Sequence, residues 1–169
     1  LGPLTSLQYF KPAYMSLARP HAVWWTAGGN PYEVSKAIVQ CKMLSGRYRT
    51  AKLLSNWSET GDSCCPAPSC SLTCETLEHI LLHCPAYATS RARNVSKWKE
   101  DQSPEIKSVV NKALLNSPAY LMQFLLDPSV LPEVISLTLS HGEKILYKIF
   151  SLTRSWCYSM HRDRIRLIK

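Results

Sequence analysis

Apolar positions along this chain recur at helical spacing and nowhere alternate for more than a few residues. Val34, Ala37, Ile38, Cys41 and Leu44 fall at i, i+3, i+4, i+7 and i+10, the mark of one helix face, so Cys41 reads as a small buried apolar residue. Asn30 supplies an N-cap, Pro31 suits the first helical position, Glu33 sits where a capping box needs its acid, and Gly46 ends the helix. Residues 51–57 predict a short helix and 58–63 a polar linker. Further helices are predicted over 87–99, from Ser103-Pro104 to about residue 115, from Ser117-Pro118 to about residue 126, and from Leu131-Pro132-Glu133 onward, with Asp127-Pro128 as a break. After His141-Gly142 comes the longest helix, where Ile145, Ile149, Leu152, Trp156 and Met160 form one apolar stripe. The pattern predicts a mainly α protein. Residues 1–31 depart from it: four prolines, Gly28-Gly29 and the pair Trp24-Trp25 predict an extended N-terminal arm whose aromatics pack on the core.

The densest chemistry lies in Cys64-Cys65-Pro66-Ala67-Pro68-Ser69-Cys70 and in Glu75-Thr76-Leu77-Glu78-His79-Ile80-Leu81-Leu82-His83-Cys84. Together these segments and Cys74 hold five of the seven cysteines and two of the five histidines. Read as Cys65-x4-Cys70-x8-His79-x4-Cys84, they offer thiolates and an imidazole in two close pairs, the donor set of a tetrahedral structural Zn2+ site. Spacing alone leaves Cys64, Cys74 and His83 as alternatives. Cys64 and Cys65 are adjacent and do not both point at one ion, Cys74-x4-His79 is an acceptable pair, and His79 and His83 would share a helix face. A disulfide cluster is the competing explanation. The interleaved histidines and the lack of a visible signal peptide favour a metal in an intracellular protein, nuclear or cytoplasmic. The chain thus divides into an arm (1–31), a helix plus metal-knuckle core (32–101) and C-terminal helices with a basic tail (102–169).

Charge adds a partner class. The net charge is +8, which favours a polyanion, most simply nucleic acid. From Lys36 to Lys52 there are five basic residues and no acidic one. Arg47, Arg49 and Lys52 there, with Arg91, Arg93 and Lys97 on the helix after the knuckle, are candidates to meet phosphates, and Tyr48 and Trp57 to stack on bases; a solvated turn with Tyr48 in the core is the alternative around Arg47 and Arg49. From His141 to Lys169 seven basic residues face two acidic ones, a tail suited to phosphate or to a solvated surface. No apolar run approaches the roughly 20 residues of a membrane span. With Leu1 in place of an initiator Met, the chain reads as part of something longer.

Several stretches together resemble one family: Trp24-Trp25, Gly29-Asn30-Pro31-Tyr32-Glu33-Val34, the run from Lys42 to Thr50, Cys65 to Cys70, and Glu75 to Pro85. Near the end, Phe124 to Pro132 and Thr153-Arg154-Ser155-Trp156-Cys157-Tyr158 add to them. Across nearly its whole length the chain resembles the region C-terminal to the polymerase in the reverse transcriptase polyprotein of non-LTR (LINE-type) retrotransposons. The most specific part is Glu-Thr-x-x-His-x4-Cys, the second half of that family's Cys-Cys-His-Cys zinc-knuckle-like site. The resemblance implies Cys65, Cys70, His79 and Cys84 as ligands, Cys74 in a variable loop and His83 between ligands. It also implies an accessory module that helps the upstream polymerase hold element RNA or target DNA during target-primed reverse transcription.

The residues predict no catalysis within the chain. There is no Tyr-x-Asp-Asp motif for two Mg2+ ions and no Gly-x4-Gly-Lys phosphate loop. A PD-(D/E)-x-K nuclease is not matched, since Asp127-Pro128 runs in the wrong order and Glu143-Lys144 has no intervening residue. Glu78 sits beside His79, but four protein ligands would close a zinc site to the water that hydrolysis needs. The competing function is a zinc-stabilised interaction module that docks on the polymerase through its apolar stripe without touching nucleic acid.

Overall fold

The computed structural model describes residues 7–15, 18–58, 61–70, 73–100 and 103–169. Parts of the predicted arm (1–6, 16–17), of the linker (59–60) and the boundary at 101–102 lie outside the described residues. Among the described residues eight α-helices follow in order: α1 Ala22–Trp25, α2 Pro31–Leu44, α3 Ala51–Ser55, α4 Ala88–Lys99, α5 Pro104–Leu115, α6 Pro118–Leu126, α7 Pro132–His141 and α8 Lys144–Ile168. Extended pairing among the described residues is limited to one antiparallel bridge, Cys64 with Cys74.

Local chemistry sets most helix starts. Pro31, Pro104 and Pro118 each open a helix behind a polar cap: Asn30 accepts from the Tyr32 amide, Ser103 from Ile106 and Ser117 from Tyr120. Gly46 and Gly142, at φ of 68° and 83°, take the left-handed conformation that ends α2 and α7. Glu33 does not close a capping box. Its carboxylate turns to α8 instead and accepts from the buried Arg154 at 3.0 Å.

Helix α8 is the axis of the packing. It lies against α2, α4, α6 and α7, and Ile145, Ile149, Trp156 and Met160 of its stripe are buried. Burying side chains of this size contributes about 1.5–3 kcal/mol each against conformational entropy of similar scale. Trp98 of α4 sits between Trp156, at 4.7 Å between ring centroids, and Phe124 of α6, at 5.5 Å. The stripe on α2 is rotated from the sequence expectation. Ala37, Val39, Gln40, Met43 and Leu44 are buried, while Ile38 is exposed and Cys41 only partly covered. Gln40 accounts for the rotation: its amide nitrogen donates to the Leu125 carbonyl and to Thr153, so a polar side chain takes a core position with its donors satisfied.

The N-terminal segment is extended only in part. It carries a 3-10 turn, Pro12–Tyr14, and then α1, which buries Val23 and packs against α2. Trp25 packs edge-on against Tyr147 at 5.4 Å under the Arg19 guanidinium, whereas Trp24 is exposed. His21 caps α1 and meets the buried Asp127 at 2.9 Å.

Arg164 of α8 does not belong to a solvated tail. It is buried and forms a two-pronged ion pair with Glu75, at 2.9 and 2.7 Å, and Glu75 is fully buried. Arg164→Met would leave that carboxylate without a cation and should lower the unfolding free energy by about 3–5 kcal/mol. Urea denaturation checks this, and the double variant Glu75→Gln/Arg164→Met should recover part of the loss.

Candidate metal centre

The first half of the centre is closed by a backbone clasp. The Cys65 amide donates to the Thr73 carbonyl at 2.7 Å and the Glu75 amide to Ser63 at 2.8 Å, on either side of the opposed pair Cys64 and Cys74. Inside the clasp the 3-10 turn Pro68–Cys70 is tightened by the Cys70 amide on the Ala67 carbonyl at 2.9 Å. Successive residues of an extended segment face opposite ways. Cys65 is therefore buried while its neighbour Cys64, like Cys74, stays partly exposed.

The second half depends on how the chain winds. An α-helix would set His79 and Cys84 about 140° apart. Here His79–His83 forms a π turn, closed by the Cys84 amide on the His79 carbonyl at 2.7 Å. The wider turn brings Cys84 over His79 on one side. His83 falls outside, exposed and 3.1 Å from Glu78. Pro85 follows at once and opens the 3-10 turn Pro85–Tyr87.

Cys65, Cys70, His79 and Cys84 meet in the interior. One donor atom from each lies within 4.8 Å of all the others, and all four residues are buried. The Cys84 sulfur is 3.6 Å from that of Cys70 and 3.8 Å from that of Cys65. All seven cysteines are free thiols, so the cluster is not a disulfide framework. Burial pushes the Cys84 thiol up to about 12 and raises Cys65 as well. Burial also holds the His79 imidazole below its ordinary value, which leaves a neutral ring with a free lone pair at pH 7. Its Nε2 is buried without a hydrogen-bond partner among the described residues. An orphaned imidazole nitrogen beside three buried thiols has a partner once a cation sits among them. The four residues therefore fit a metal ion.

Three neighbours brace the cluster. Arg91 Nη2 donates to the Cys84 carbonyl at 2.5 Å, and its buried Nη1 has no partner among the described residues. Burial lowers its pKa, partly offset by Cys84 and Cys70. Three thiolates around a divalent ion leave one net negative charge, and the half-buried guanidinium is the cation beside it. Trp156 Nε1 of α8 donates to the Leu81 carbonyl inside the π turn at 3.1 Å. Glu75, next to the clasp, accepts from Arg164 and from the Ala51 amide at 2.7 Å. As braces these residues are not readable in the sequence, where Arg91 stands as a phosphate candidate. The charges of Glu75 and Arg164 gave no signal there, because their pairing spans 89 residues.

The residues proposed to meet nucleic acid separate into two groups. Tyr48 is corrected: it is buried, its hydroxyl shares a hydrogen bond with His161 Nδ1 at 2.9 Å, and its ring is not free to stack on a base. Arg91 is half-buried and turns its guanidinium to the Cys84 carbonyl beside the cluster. Arg47, Arg49, Lys52, Arg93 and Lys97 are exposed. Arg47 and Arg49 line a groove of about 820 Å³ beside Trp24, Ile38 and Lys42. Arg93 and Lys97 line a separate crevice against α8, and Lys52 lies at a third cavity near Gln8. Trp57 is 74 % exposed. None of the four cluster residues lines these cavities.

Comparison with known families, curated proteins and solved structures gives no match for this chain.

The geometry separates the four cluster residues from their neighbours, and elemental analysis of purified protein checks it. One ion per chain is expected in the parent and in Cys64→Ser, Cys74→Ser and His83→Ala, and its loss is expected in Cys70→Ser and His79→Ala. Because the raised thiols must release protons to bind, uptake should weaken as the pH falls.

Proposed function

We propose that this chain is a non-catalytic, zinc-stabilised module that binds nucleic acid as an accessory region of a retrotransposon reverse transcriptase. Three soft thiol sulfurs and one imidazole favour Zn2+ over the hard cations, which prefer oxygen ligands. Four protein donors satisfy a closed structural site, so the metal's work is to fix the knuckle to α4 and α8. When bound, the ion supplies folding free energy.

One observation carries the nucleic-acid reading. Arg47, Arg49, Lys52, Arg93 and Lys97 are exposed, and none makes an ion pair or a side-chain hydrogen bond among the described residues, although the chain has twelve carboxylates. Unpaired surface cations on a chain of net charge +8 attract a polyanion. Trp24 beside Arg47 and Arg49, and the open Trp57, offer the ring faces that unpaired bases stack on. The link to a retroelement polymerase rests on the sequence resemblance from Trp24 to Tyr158. Docking on that polymerase through the apolar stripe has less support, because Ile145, Ile149, Trp156 and Met160 lie in the core.

A salt titration tests the reading. Zinc-loaded protein should bind single-stranded RNA or DNA with log K falling linearly in log salt, by about 0.7 per phosphate contacted. Arg47→Ala/Arg49→Ala should weaken binding and flatten that slope without lowering the melting temperature. No binding by folded, zinc-loaded protein at low salt would sink the proposal.

A further inference from the structure

The crevice between α2, α4 and α8 is made by residues that the metal cluster does not use. Lys36, Arg93, Lys97, Ser155, Ser159 and Arg162 line a space of about 280 Å³. Helix winding brings them together. Arg93 and Lys97 are one turn apart on α4, while Ser155, Ser159 and Arg162 follow at i, i+4 and i+7 on α8. The contact of Trp98 with Trp156 holds the two strips facing each other.

Four cations thus share one small space. Two carboxylates touch its edge: Glu33 is 3.2 Å from Lys36, and Asp163 is 3.8 Å from Arg162. Each also serves a second group: Glu33 accepts from Lys36 on one oxygen and from Arg154 on the other, and Asp163 accepts from the Ser90 hydroxyl. Arg93 and Lys97 have no ion pair or side-chain hydrogen bond among the described residues. Gathered like charges repel, and an anion between them removes that repulsion. Ser155 Oγ accepts from Lys36 Nζ at 3.5 Å, which leaves its O–H free to donate. Guanidinium forks, ammonium groups and a hydroxyl around a mostly polar space form a donor set for a tetrahedral oxyanion.

We propose that this crevice is a phosphate seat, with Arg93 and Lys97 on one wall and Lys36, Arg162 and Ser155 on the other. The inference deepens the nucleic-acid reading and rests on it for the source of the phosphate, a backbone or terminal phosphate of a bound strand. Free phosphate is the other source of the same chemistry.

The test uses the full zinc-loaded chain with two probes, inorganic phosphate and a single-stranded oligonucleotide. It compares the parent with Arg93→Ala/Lys97→Ala and with Arg47→Ala/Arg49→Ala, all three checked for an unchanged melting temperature. Inorganic phosphate should shift the amide resonances around Arg93, Ser155 and Arg162 in the parent and in the Arg47/Arg49 variant, and should not do so in the Arg93/Lys97 variant. The Arg93/Lys97 variant should bind oligonucleotide about tenfold more weakly at low salt, with a slope shallower by about 1. Phosphate shifts confined to the crevice without oligonucleotide binding would support the seat for free phosphate and remove the nucleic-acid reading. Unchanged oligonucleotide binding in the Arg93/Lys97 variant, together with no phosphate shifts in the crevice, would overturn the seat and leave the nucleic-acid reading standing.

Discussion

The Glu75 carboxylate has no contact with water, yet it accepts from Arg164 on both oxygens and from the amide that opens α3. A buried ion is tolerated only when charge and hydrogen bonds replace its hydration, so the positions of its partners are strongly constrained. Glu75 is also where the clasp closes, through its own amide on Ser63. One residue therefore joins the metal knuckle, the start of α3 and the last turns of α8. Trp156 adds a second tie from α8 to the π turn, and Arg91 a third from α4 to Cys84. The cluster is held by the helical body as well as by any ion it binds.

The basic residues do two kinds of work. Arg91, Arg154 and Arg164 point inward, and each serves an anion or a carbonyl of the interior. Guanidinium suits this role, because it stays charged and offers donors in a flat fork. Among the described residues the surface cations of α4 and of the turn after α2 have no such partners. Net charge alone does not separate the two sets, whereas burial does.

Legibility followed range. The caps at Asn30, Ser103 and Ser117 and the stops at Gly46 and Gly142 are decided by neighbouring residues, so the sequence shows them directly. The long stripe of α8 is readable for the same reason, since 25 residues of one helix repeat a simple period. The four cluster residues were legible as a spacing and narrowed by resemblance. Their selection over Cys64 and His83 came from the clasp and the π turn, which set the direction of each side chain. What stayed hidden depends on distant partners. Gln40 rotates α2 because Leu125 and Thr153 receive its amide, Glu33 leaves its capping role for Arg154, and Tyr48 and Arg164 turn inward toward His161 and Glu75. In the sequence Tyr48 reads as a stacking ring and Arg164 as part of a basic tail, and tertiary contacts turn both inward.

The π turn makes the His-x4-Cys interval a record of winding. Removing one residue between His79 and Cys84 would let ordinary helical pitch align the pair again. Trp156 and Arg91, however, grip carbonyls on either side of the missing position, and both would lose register with α4 and α8. The extra residue thus acts as a spacer that reconciles two geometries, the reach of a chelating pair and the fixed separation of the helices around it.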